Sequence, residues 1–524
     1  MPKKTYLKKI LVIGSGPIII GQAAEFDYAG TQACRVLRDE GVQVILVNSN
    51  PATIMTDKEM AYQTYLEPIT PEIVTKIIEK ERPDGILPTL GGQVGLNMAL
   101  TLGQNGILDK YHVELLGTPL DSIERSEDRQ LFKDAMESIQ EPVLASFTVH
   151  DVETAIPLAE EIGYPIVVRP AFTLGGTGGG FCDNEAELRQ LLPIGLKMSP
   201  INQCLIEKSL KGWKEIEFEV MRDANNNCIA ICSMENMDPL GIHTGDSIVV
   251  APTQTLNDSD YQMMRTASLN IIRHLGIEGG CNVQFALDPV SKQYYVIEVN
   301  PRVSRSSALA SKATGYPIAR IASLIALGYT LDEIVNPVTG RTSACFEPVI
   351  DYIVAKVPRW PFDKFRVANR QLNTQMKSTG EVMAIGRNLP EALQKAVRSL
   401  EQGYSSMRAP ESERLSTELL MERIHYGDDL RLFHLMTALR RNISKEELYT
   451  QTKIDPWFLN QLQRVIDMER KLDHAVPEEN LLRDAKRLGF ANTEIAFWTG
   501  MPVKEIEQLL EQYGIKRTYK LVDT

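Results

Sequence analysis

A loop with five glycines in six residues follows a short apolar segment that ends in a cation. The segment is Ile166-Val-Val-Arg169-Pro170, and the glycines lie in Gly175-Gly-Thr-Gly-Gly-Gly180. Glycines at this density lose much conformational entropy on folding and bring no side chain to a core. Their backbone N–H groups can instead approach phosphate oxygens closely and hold them. The loop lacks the GK[ST] ending of a Walker loop, so it indicates a phosphate-binding loop of another class or a flexible hairpin.

Two strand-like segments carry alternating amide and carboxylate side chains. Asn282 and Gln284 share one face of the first segment, and Glu298 and Asn300 share one face of the second. If the segments pair as a hairpin across the turn at 288–293, these faces coincide. The set then offers only oxygen ligands, which suit Mg²⁺ or Mn²⁺ rather than zinc. The alternative is a solvated polar face without a metal.

Two arginines, Arg302 and Arg305, follow the second segment at the start of a predicted helix. Together with a helix N-terminus they could bind a small anion, although a surface arginine pair explains them equally well. A polar loop, Gly241-Ile-His243-Thr-Gly-Asp246, contains a histidine. One histidine in a glycine turn is more typical of a structural role.

The elements that must position these groups begin with a βαβαβ pattern. It predicts helices over about 23–40 and 71–81 and a parallel, doubly wound α/β sheet that extends to about residue 128. Glycine turns at 14–16 and 91–92 follow two of its strands, which favours a ligand crevice at one sheet edge. Ile19 occupies the position where GxGxxG needs a glycine, and this argues against a nicotinamide or flavin cofactor.

The rest of the chain divides into a mixed region and a helical region. Strand-like runs between 129 and 334 predict an α+β domain with a largely antiparallel sheet and helices near 129–138, 151–161 and 307–325. Further strands are predicted at 344–349 and 382–385, with a helix at 390–401. Almost only helix follows, as in a packing or oligomerisation module. The predicted domains are 1–128, 129–334, 335–402 and 403–524.

Composition excludes several classes of protein. A chain of 524 residues exceeds a single hydrophobic core. Its net charge of −12 argues against nucleic-acid binding. No apolar run reaches the roughly 18 residues of a membrane helix, and the basic N-terminus lacks the apolar region of a secretory signal. Seven scattered cysteines without a CxxC pair predict buried thiols in the reducing cytoplasm.

Several of these motifs together resemble the ATP-grasp superfamily and, within it, the large subunit of carbamoyl phosphate synthetase. The resemblance rests on the glycine loop, on the oxygen-ligand pair of strands and on several longer strings. These strings are Gly21-Gln-Ala-Ala-Glu-Phe-Asp-Tyr-Ala-Gly30, Gly91-Gly-Gln93, Gly241-Ile-His-Thr-Gly-Asp246 and Asn300-Pro-Arg-Val-Ser-Arg-Ser-Ser-Ala-Leu-Ala-Ser-Lys-Ala-Thr-Gly315. It implies a pre-ATP-grasp α/β domain over 1–128, an ATP-grasp domain over 129–334, the remainder of a carboxyphosphate-forming unit over 335–402 and a helical oligomerisation domain over 403–524.

The resemblance also implies roles for residues. The positions that match nucleotide contacts of the family are Arg129, Arg169, Gly175, Gly176, Lys208, Leu210, Glu215, Gly241, Ile242, His243, Gln284 and Glu298. Those that match ligands of two Mg²⁺ or Mn²⁺ ions are Gln284, Glu298 and Asn300. Arg302 and Asn282 lie where the family holds bicarbonate or its phosphorylated product, and Arg305 is a third candidate catalytic residue. Position 208 varies in the family, so its main chain rather than its side chain is expected to contact ATP.

The activity that the resemblance implies is phosphorylation of bicarbonate by ATP to carboxyphosphate, followed by reaction with ammonia to carbamate. This is the first half-reaction of carbamoyl phosphate synthesis, which serves arginine or pyrimidine biosynthesis. A glutaminase small subunit is the expected ammonia source, in an oligomeric, cytoplasmic enzyme.

The family's large subunit has two homologous halves, and this sequence matches the first. The sequence is therefore expected to be a piece of a longer enzyme or one product of a split gene, and a carbamate-phosphorylating half is an expected partner. Two alternatives remain open. One is an ATP-grasp ligase or carboxylase for another acid, and the other is a nucleotide-binding scaffold that is inactive without its partner.

Overall fold

The computed structural model describes residues 3–17, 24–173, 176–365 and 367–519, so Gly175 lies outside the described residues. The strands are β1 (Lys9–Ile13), β2 (Gln43–Val47), β3 (Gln63–Tyr65), β4 (Gly85–Leu87), β5 (Glu114–Leu115), β6 (Ser146–Val149), β7 (Ile166–Pro170), β8 (Gly180–Cys182), β9 (Cys204–Lys208), β10 (Lys214–Arg222), β11 (Cys228–Asn236), β12 (Val249–Ala251), β13 (Gly279–Leu287), β14 (Tyr294–Asn300), β15 (Ile353–Arg359) and β16 (Gly380–Gly386).

The helices are α1 (Ala24–Asp39), α2 (Pro71–Glu81), α3 (Gly92–Gln104), α4 (Ile107–Tyr111), α5 (Leu120–Glu127), α6 (Arg129–Ser138), α7 (Val152–Ile162), α8 (Glu185–Met198), α9 (Asp258–Leu275), α10 (Arg305–Thr314), α11 (Ile318–Ala326), α12 (Leu389–Ser399), α13 (Pro410–Glu413), α14 (Thr417–Tyr426), α15 (Arg431–Arg440), α16 (Lys445–Thr452), α17 (Pro456–Leu472), α18 (Glu479–Arg487), α19 (Asn492–Thr499) and α20 (Val503–Gln512).

The chain forms two compact units. The first comprises Met1–Leu210, Ile216–Ser233 and Leu256–Val349, and the second comprises Lys211–Glu215, Met234–Thr255 and Ile350–Thr524. The finer division into four domains stays a prediction.

A parallel sheet of order β3-β2-β1-β4-β5 opens the first unit. The central strands are continuous apolar runs, and Ile10, Leu11 and Val12 are fully buried. Such runs are typical of parallel strands that helices cover on both faces. Helix α2 begins at Pro71, where the Thr70 hydroxyl accepts a hydrogen bond from a backbone N–H. The predicted doubly wound sheet is confirmed.

Two antiparallel arrangements complete the first unit. One is a four-stranded sheet of order β6-β9-β7-β8, and in the other β14, β13, β10 and β11 lie side by side. Their apolar faces form buried clusters, one of them against α6 and α9. The prediction of a largely antiparallel sheet in this region is confirmed, and α6 spans the residues expected of it.

The helix predicted over 307–325 is in fact two helices. Helix α10 ends at Gly315, whose φ of 73° is left-handed, and Pro317 precedes α11. Glycine in this conformation ends helices, and a following proline cannot continue them. Helices α8 and α9 were not predicted. The strand predicted at 344–349 was wrong, because Phe346 and Val349 are exposed there and nothing in the segment extends a sheet.

The second unit combines a small antiparallel sheet with helices. The last residues of β11, Glu235 and Asn236, pair with β12, which pairs with β15, and β15 pairs with β16. Helices α12 to α20 enclose one apolar core, so the predicted all-helical C-terminal region is confirmed. None of the helices in the described part of the chain combines the length and apolar composition that a bilayer-spanning segment requires.

Candidate active site

The hairpin of β13 and β14 brings the predicted oxygen ligands together. Gln284 lies directly opposite Glu298, and Asn282 lies opposite Asn300. The register shifts by one residue immediately after Gln284, and such bulges re-aim the side chains beside them. The predicted coincidence of the two polar faces is therefore confirmed, whereas the role of these residues as metal ligands stays a prediction.

Glu298 is the charged centre of this hairpin. Its Oε2 lies 2.6 Å from Nη2 of Arg169, and its Oε1 accepts a hydrogen bond from Nδ2 of Asn300 at 3.2 Å. Arg169 also donates through Nη1 to Oε1 of Glu207 at 3.1 Å and to the carbonyl oxygen of Ile297 at 3.3 Å. Arg169 therefore ties β7 and β9 to β14, and the glycine loop begins just beyond it.

The chemistry of the donor set fits a hard divalent cation. Gln284 and Asn300 make their side-chain bonds to Asn282 and Glu298 through the amide nitrogen, with Nε2 of Gln284 3.1 Å from Oδ1 of Asn282. Those bonds do not engage the amide oxygens, which are the atoms that Mg²⁺ takes as ligands. Together with the Glu298 carboxylate, the hairpin presents one carboxylate and two amide oxygens. Among the described residues there is no group of three His, Cys, Asp or Glu side chains suited to a metal, so a zinc-type site is not found there.

Positive charge surrounds the hairpin. Burial, then the charge of Arg169, lowers the pKa of Arg129, while Glu298 opposes that shift. Burial likewise lowers the pKa of Arg302, and Glu127 and Glu298 oppose it. Nε of Arg129, the first residue of α6, is buried and has no hydrogen-bond partner. Three guanidinium groups thus act on the surroundings of Glu298, as a site for phosphate oxygens requires.

Arg302 and Arg305 have different partners. Arg302 donates from Nε to Oε1 of Gln93 at 3.1 Å, and Nε2 of Gln93 donates to Oε2 of Glu127 at 2.8 Å. Arg305 donates from Nε to Oε1 of Glu25 in α1 at 3.0 Å. The side chain of Arg302 thus bonds to the Gln93 amide and the Val303 carbonyl oxygen, whereas Arg305 is ion-paired with Glu25. The substrate contacts of both arginines stay predictions.

Asn282 is completely buried between two carboxyl groups. Its Nδ2 lies 3.0 Å from Oε2 of Glu217 and 3.3 Å from Oε2 of Glu219. The hydroxyls of Ser306 and Ser307, in the first turn of α10, donate to Glu217 and Glu219 respectively. Burial raises the pKa of Glu219 to about 8. Asn282 thus connects β13 to β10, and its contact with bicarbonate stays a prediction.

The glycine loop connects β7 to β8. A Cβ on Gly179 would lie 2.8 Å from the carbonyl oxygen of Val168, and Gly176 has a φ of 70°. Both positions therefore require glycine for the turn itself, in which the N–H of Gly179 donates to the carbonyl oxygen of Gly176 at 3.0 Å. Nζ of Lys208 donates to the carbonyl oxygen of Gly163 at 2.8 Å. The N–H of Lys208 donates to the carbonyl oxygen of Ala145 at 3.3 Å, and the expected contact of the Lys208 main chain with ATP stays a prediction. Leu210 is the last residue of this segment of the first unit.

Four predicted nucleotide contacts belong to the second unit. Glu215 is buried, and its carboxylate accepts hydrogen bonds from Asn236 at 2.8 Å and Thr244 at 3.1 Å. Gly241 has a φ of 126°, which favours glycine. Ile242 packs on a small apolar cluster that includes Trp360. Nδ1 of His243 accepts a hydrogen bond from the N–H of Gly245 at 2.9 Å, the structural role typical of a histidine in a turn.

The two N-terminal glycine turns pack on each other. A Cβ on Gly91 would lie 2.5 Å from the carbonyl oxygen of Ile13, and one on Gly14 would lie 2.6 Å from Oδ1 of Asn48. Asn48 in turn accepts a hydrogen bond from the N–H of Gly16 at 2.8 Å. These glycines are explained by close packing of backbone, so the predicted crevice gains no support from them.

Sequence reasoning missed several residues of the site. Gln93 lies in the Gly91-Gly-Gln93 string, and nothing in that string predicts that its side chain accepts a hydrogen bond from Arg302. Glu217 and Glu219 were not singled out. Their signal was available, because carboxylates at alternate positions of the apolar run Ile216–Met221 must share one face of a strand.

Profiles of three domain families match the chain. They are described as the carbamoyl phosphate synthase preATP-grasp domain (residues 6–125), the carbamoyl-phosphate synthase L chain ATP binding domain (residues 128–334) and the carbamoyl-phosphate synthetase large chain oligomerisation domain (residues 381–514).

Full-length relatives extend this match over the whole sequence. The carbamoyl phosphate synthase large chain of Caldanaerobacter subterraneus subsp. tengcongensis is 60% identical over 524 residues. That of Thermoanaerobacter pseudethanolicus is 59% identical over the same length. Both matches cover 100% of this chain and 49% of the relative. The chain therefore spans about half the length of the curated relatives it matches.

Solved structures show the same fold at low sequence identity. The biotin carboxylase domain of 2-oxoglutarate carboxylase from Hydrogenobacter thermophilus, solved with MgADP and bicarbonate, is 20% identical with a TM-score of 0.53. The matched region comprises 68% of this chain and 76% of that domain. N5-carboxyaminoimidazole synthetase from Staphylococcus aureus, solved with ADP, is 17% identical with a TM-score of 0.54. It covers 75% of this chain, and the match covers 97% of that enzyme.

Proposed function

Because the chain belongs to the family of carbamoyl phosphate synthase large chains, we propose that it phosphorylates bicarbonate with ATP and converts the product to carbamate with ammonia. The first product is carboxyphosphate, the mixed anhydride of carbonic and phosphoric acids. This is the first half-reaction of carbamoyl phosphate synthesis. The biotin carboxylase domain from Hydrogenobacter thermophilus, which has the same fold, was solved with MgADP and bicarbonate. This supports ATP and bicarbonate as the substrates of this chain.

The observation that carries the proposal is the arrangement around Glu298. One strand pair places Gln284 opposite Glu298 and leaves Asn300 beside it, and Arg169 contacts the same carboxylate. The proposed metal ligands are Gln284, Glu298 and Asn300, and two Mg²⁺ or Mn²⁺ ions are the proposed complement. When bound, such ions neutralise charge on the phosphate oxygens of ATP.

The chain's own residues bind and orient the reactants. An oxygen of bicarbonate attacks the γ-phosphorus, the bond from phosphorus to the β,γ-bridging oxygen breaks, and ADP leaves. Arg129, Arg169 and the glycine loop hold negative phosphate oxygens, and electrostatic stabilisation of this kind is the main resource of phosphoryl transfer. Arg302, held by Gln93, is the proposed bicarbonate ligand. Ammonia then attacks the carbonyl carbon of carboxyphosphate, releasing phosphate and giving carbamate.

Other proposals rest on the family alone. Glu215, Gly241, Ile242 and His243 are proposed nucleotide contacts, as are Gly175, Gly176, Lys208 and Leu210. A glutaminase small subunit is the proposed ammonia source, and a carbamate-phosphorylating half is the proposed second partner. The helical region that matches the oligomerisation domain is the proposed site of self-association.

The test is ADP release by the purified chain with Mg²⁺ and ATP. The assay is run in CO₂-depleted buffer, then with bicarbonate, then with bicarbonate and ammonium. The proposal expects a rate that rises with bicarbonate and saturates, and a further product, carbamate, when ammonium is present. ATP binding without any response to bicarbonate would contradict it and favour a different acid substrate.

A further inference from the structure

The Gly91-Gly-Gln93 string places a buried glutamine in the first turn of α3. A Cβ on Gly95 would lie 2.1 Å from the carbonyl oxygen of Pro88, so the first turn of α3 packs closely against the backbone that precedes it. Gln93 is 6% exposed. A buried amide needs hydrogen-bond partners inside the protein, and the position of the helix fixes which groups the Gln93 amide can reach.

Three side chains bond to the Gln93 amide. Its Nε2 donates to Oε2 of Glu127 at 2.8 Å and to Oδ1 of Asn97 at 3.1 Å, and its Oε1 accepts from Nε of Arg302 at 3.1 Å. A guanidinium group only donates hydrogen bonds, so the amide oxygen must face Arg302 and the amide nitrogen must face the two acceptors. Glu127 and Asn97 therefore determine which way the Gln93 amide points.

The Arg302 guanidinium is held at two of its nitrogens. Nε donates to Gln93, and Nη1 donates to the carbonyl oxygen of Val303 at 3.3 Å. Because a guanidinium is planar and its N–H groups point in fixed directions, these two bonds define the plane of the group. Neither bond uses Nη2, so the direction in which Nη2 points depends on the bond to Gln93.

Glu127 also acts on Arg302 through its charge. Burial lowers the pKa of Arg302, and among the carboxylates that oppose this shift Glu127 has the largest effect, ahead of Glu298 and Glu219. Burial raises the pKa of Glu127, and Arg302 has the largest of the opposing effects. Glu127 and Arg302 are therefore electrostatic neighbours, although the hydrogen bonds that join them pass through Gln93.

A second bond between the same two helices provides a comparison. Gln104, the last residue of α3, donates from Nε2 to Oε1 of Glu124 on α5 at 3.2 Å, and this bond is exposed. The bond from Gln93 to Glu127 joins α3 to α5 in the same way, but the Gln93 amide also bonds to a cation two residues after β14. Stabilisation of the helix pair does not account for that further bond.

We propose that Glu127 is a positioning residue, which fixes the plane of the Arg302 guanidinium through Gln93 and thereby the orientation in which Arg302 binds bicarbonate. Bicarbonate as the bound anion rests on the proposed function. The orientation of Arg302 by Glu127 and Gln93 rests on the geometry of the first unit alone.

The first test is structural and does not depend on catalysis. Crystal structures of Glu127→Ala and of the control Glu124→Ala are compared with the wild type. In Glu127→Ala the Gln93 amide should rotate and the Arg302 guanidinium should change its plane or occupy two orientations, whereas Glu124→Ala should leave both groups in place. An Arg302 that keeps its wild-type plane and its bond to Gln93 in Glu127→Ala would overturn the positioning role.

The second test measures the KM for bicarbonate and the KM for ATP in bicarbonate-dependent ADP release. Glu127→Ala should raise the KM for bicarbonate about tenfold, because a hydrogen bond to a charged group contributes about this factor or more. The KM for ATP should stay within about twofold of wild type, and Glu124→Ala should change neither value. A folded Glu127→Ala with the wild-type KM for bicarbonate, or with both KM values raised equally, would overturn the proposal.

A second variant keeps the test decisive if Glu127→Ala fails to fold. Gln93→Met preserves the length of the side chain, removes the amide and should raise the KM for bicarbonate by a similar factor, with folding checked by Tm. The double variant should be no worse than Gln93→Met alone, because both residues act through one chain of bonds. Effects that multiply would overturn the chain. A wild type whose ADP release ignores bicarbonate would contradict the proposed function instead, and the crystal structures would still decide the orientation of Arg302.

Discussion

Replacing Glu298 by glutamine separates its proposed catalytic role from its structural one. The variant removes one negative charge but keeps an oxygen that can accept the bond from Asn300. Arg169 loses its partner at 2.6 Å but keeps Glu207 at 3.1 Å, so no buried cation is left alone. The Arg169 and Glu298 side chains are 18% and 29% exposed, and partly solvated pairs of this kind contribute about 1 kcal/mol or less to stability.

The expected effect on activity is much larger. In the proposal the Glu298 carboxylate holds the cations that stabilise the reacting phosphates, and losing one preorganised electrostatic group of this kind lowers turnover about 100- to 1,000-fold. Bicarbonate-dependent ADP release should therefore fall by about this factor in Glu298→Gln, while the free energy of unfolding in urea changes by about 1 kcal/mol or less. Both quantities are measured on the same preparation.

The matched control is Glu347→Gln. Glu347 forms an ion pair with Arg265, and the two side chains are 28% and 27% exposed, close to the values for the Arg169–Glu298 pair. It also accepts a hydrogen bond from the N–H of Ala230, so its loss should cost at least as much stability. Its activity should stay within about twofold of wild type. If Glu298→Gln kept wild-type activity, or if both variants lost activity in proportion to stability, the assignment of Glu298 would be refuted.

Three further predictions concern the surroundings of the site. Folding raises the pKa of Glu219 from 4.5 to about 8. Between pH 4.5 and 8 the folded protein therefore keeps a proton on Glu219 that the unfolded chain has released. The free energy of unfolding consequently falls as pH rises through this range. Glu219→Gln should reduce that slope by about 1.4 kcal/mol per pH unit, and an unchanged slope in urea titrations at pH 6 to 8 would contradict the protonated carboxyl. Gly179→Ala should weaken ATP binding, as measured by calorimetry, because the added Cβ would meet the carbonyl oxygen of Val168. The control Gly380→Ala, whose added Cβ has nothing within 4 Å, should leave ATP binding unchanged. Lys208→Met should lower Tm, because its ammonium binds carbonyl oxygens of the turn before β7, but should change the KM for ATP less than about threefold; a loss of ATP binding would show a side-chain contact instead.

Local patterns predicted the elements that carry the site. Alternation of polar and apolar residues predicted that Asn282 and Gln284 share one face and Glu298 and Asn300 another, and that the two faces coincide in a hairpin, because a period of two fixes which side chains share a face. The continuous apolar runs predicted the parallel sheet, and α2 and α6 occupy the predicted residues. These features depend on neighbours in sequence or on a single tight turn.

Long-range partners were not predictable in the same way. Arg302 is held by Gln93, 209 positions away, and Arg305 by Glu25, 280 positions away. No periodicity links such residues, so the sequence did not predict the different partners of the two arginines. The exposed segment near Phe346 was mistaken for a strand because its apolar letters alone do not show burial.

The central claim is that an oxygen of bicarbonate forms a bond to the γ-phosphorus of ATP. The most direct measurement supplies ¹⁸O-labelled bicarbonate to the chain with Mg²⁺ and ATP and analyses the released phosphate by mass spectrometry. The account predicts one ¹⁸O atom in each phosphate formed, at a rate that Glu298→Gln lowers and Glu347→Gln does not. Bicarbonate-stimulated release of phosphate that carries no label would show that water attacks the phosphorus, and the proposed carboxyphosphate chemistry would be wrong.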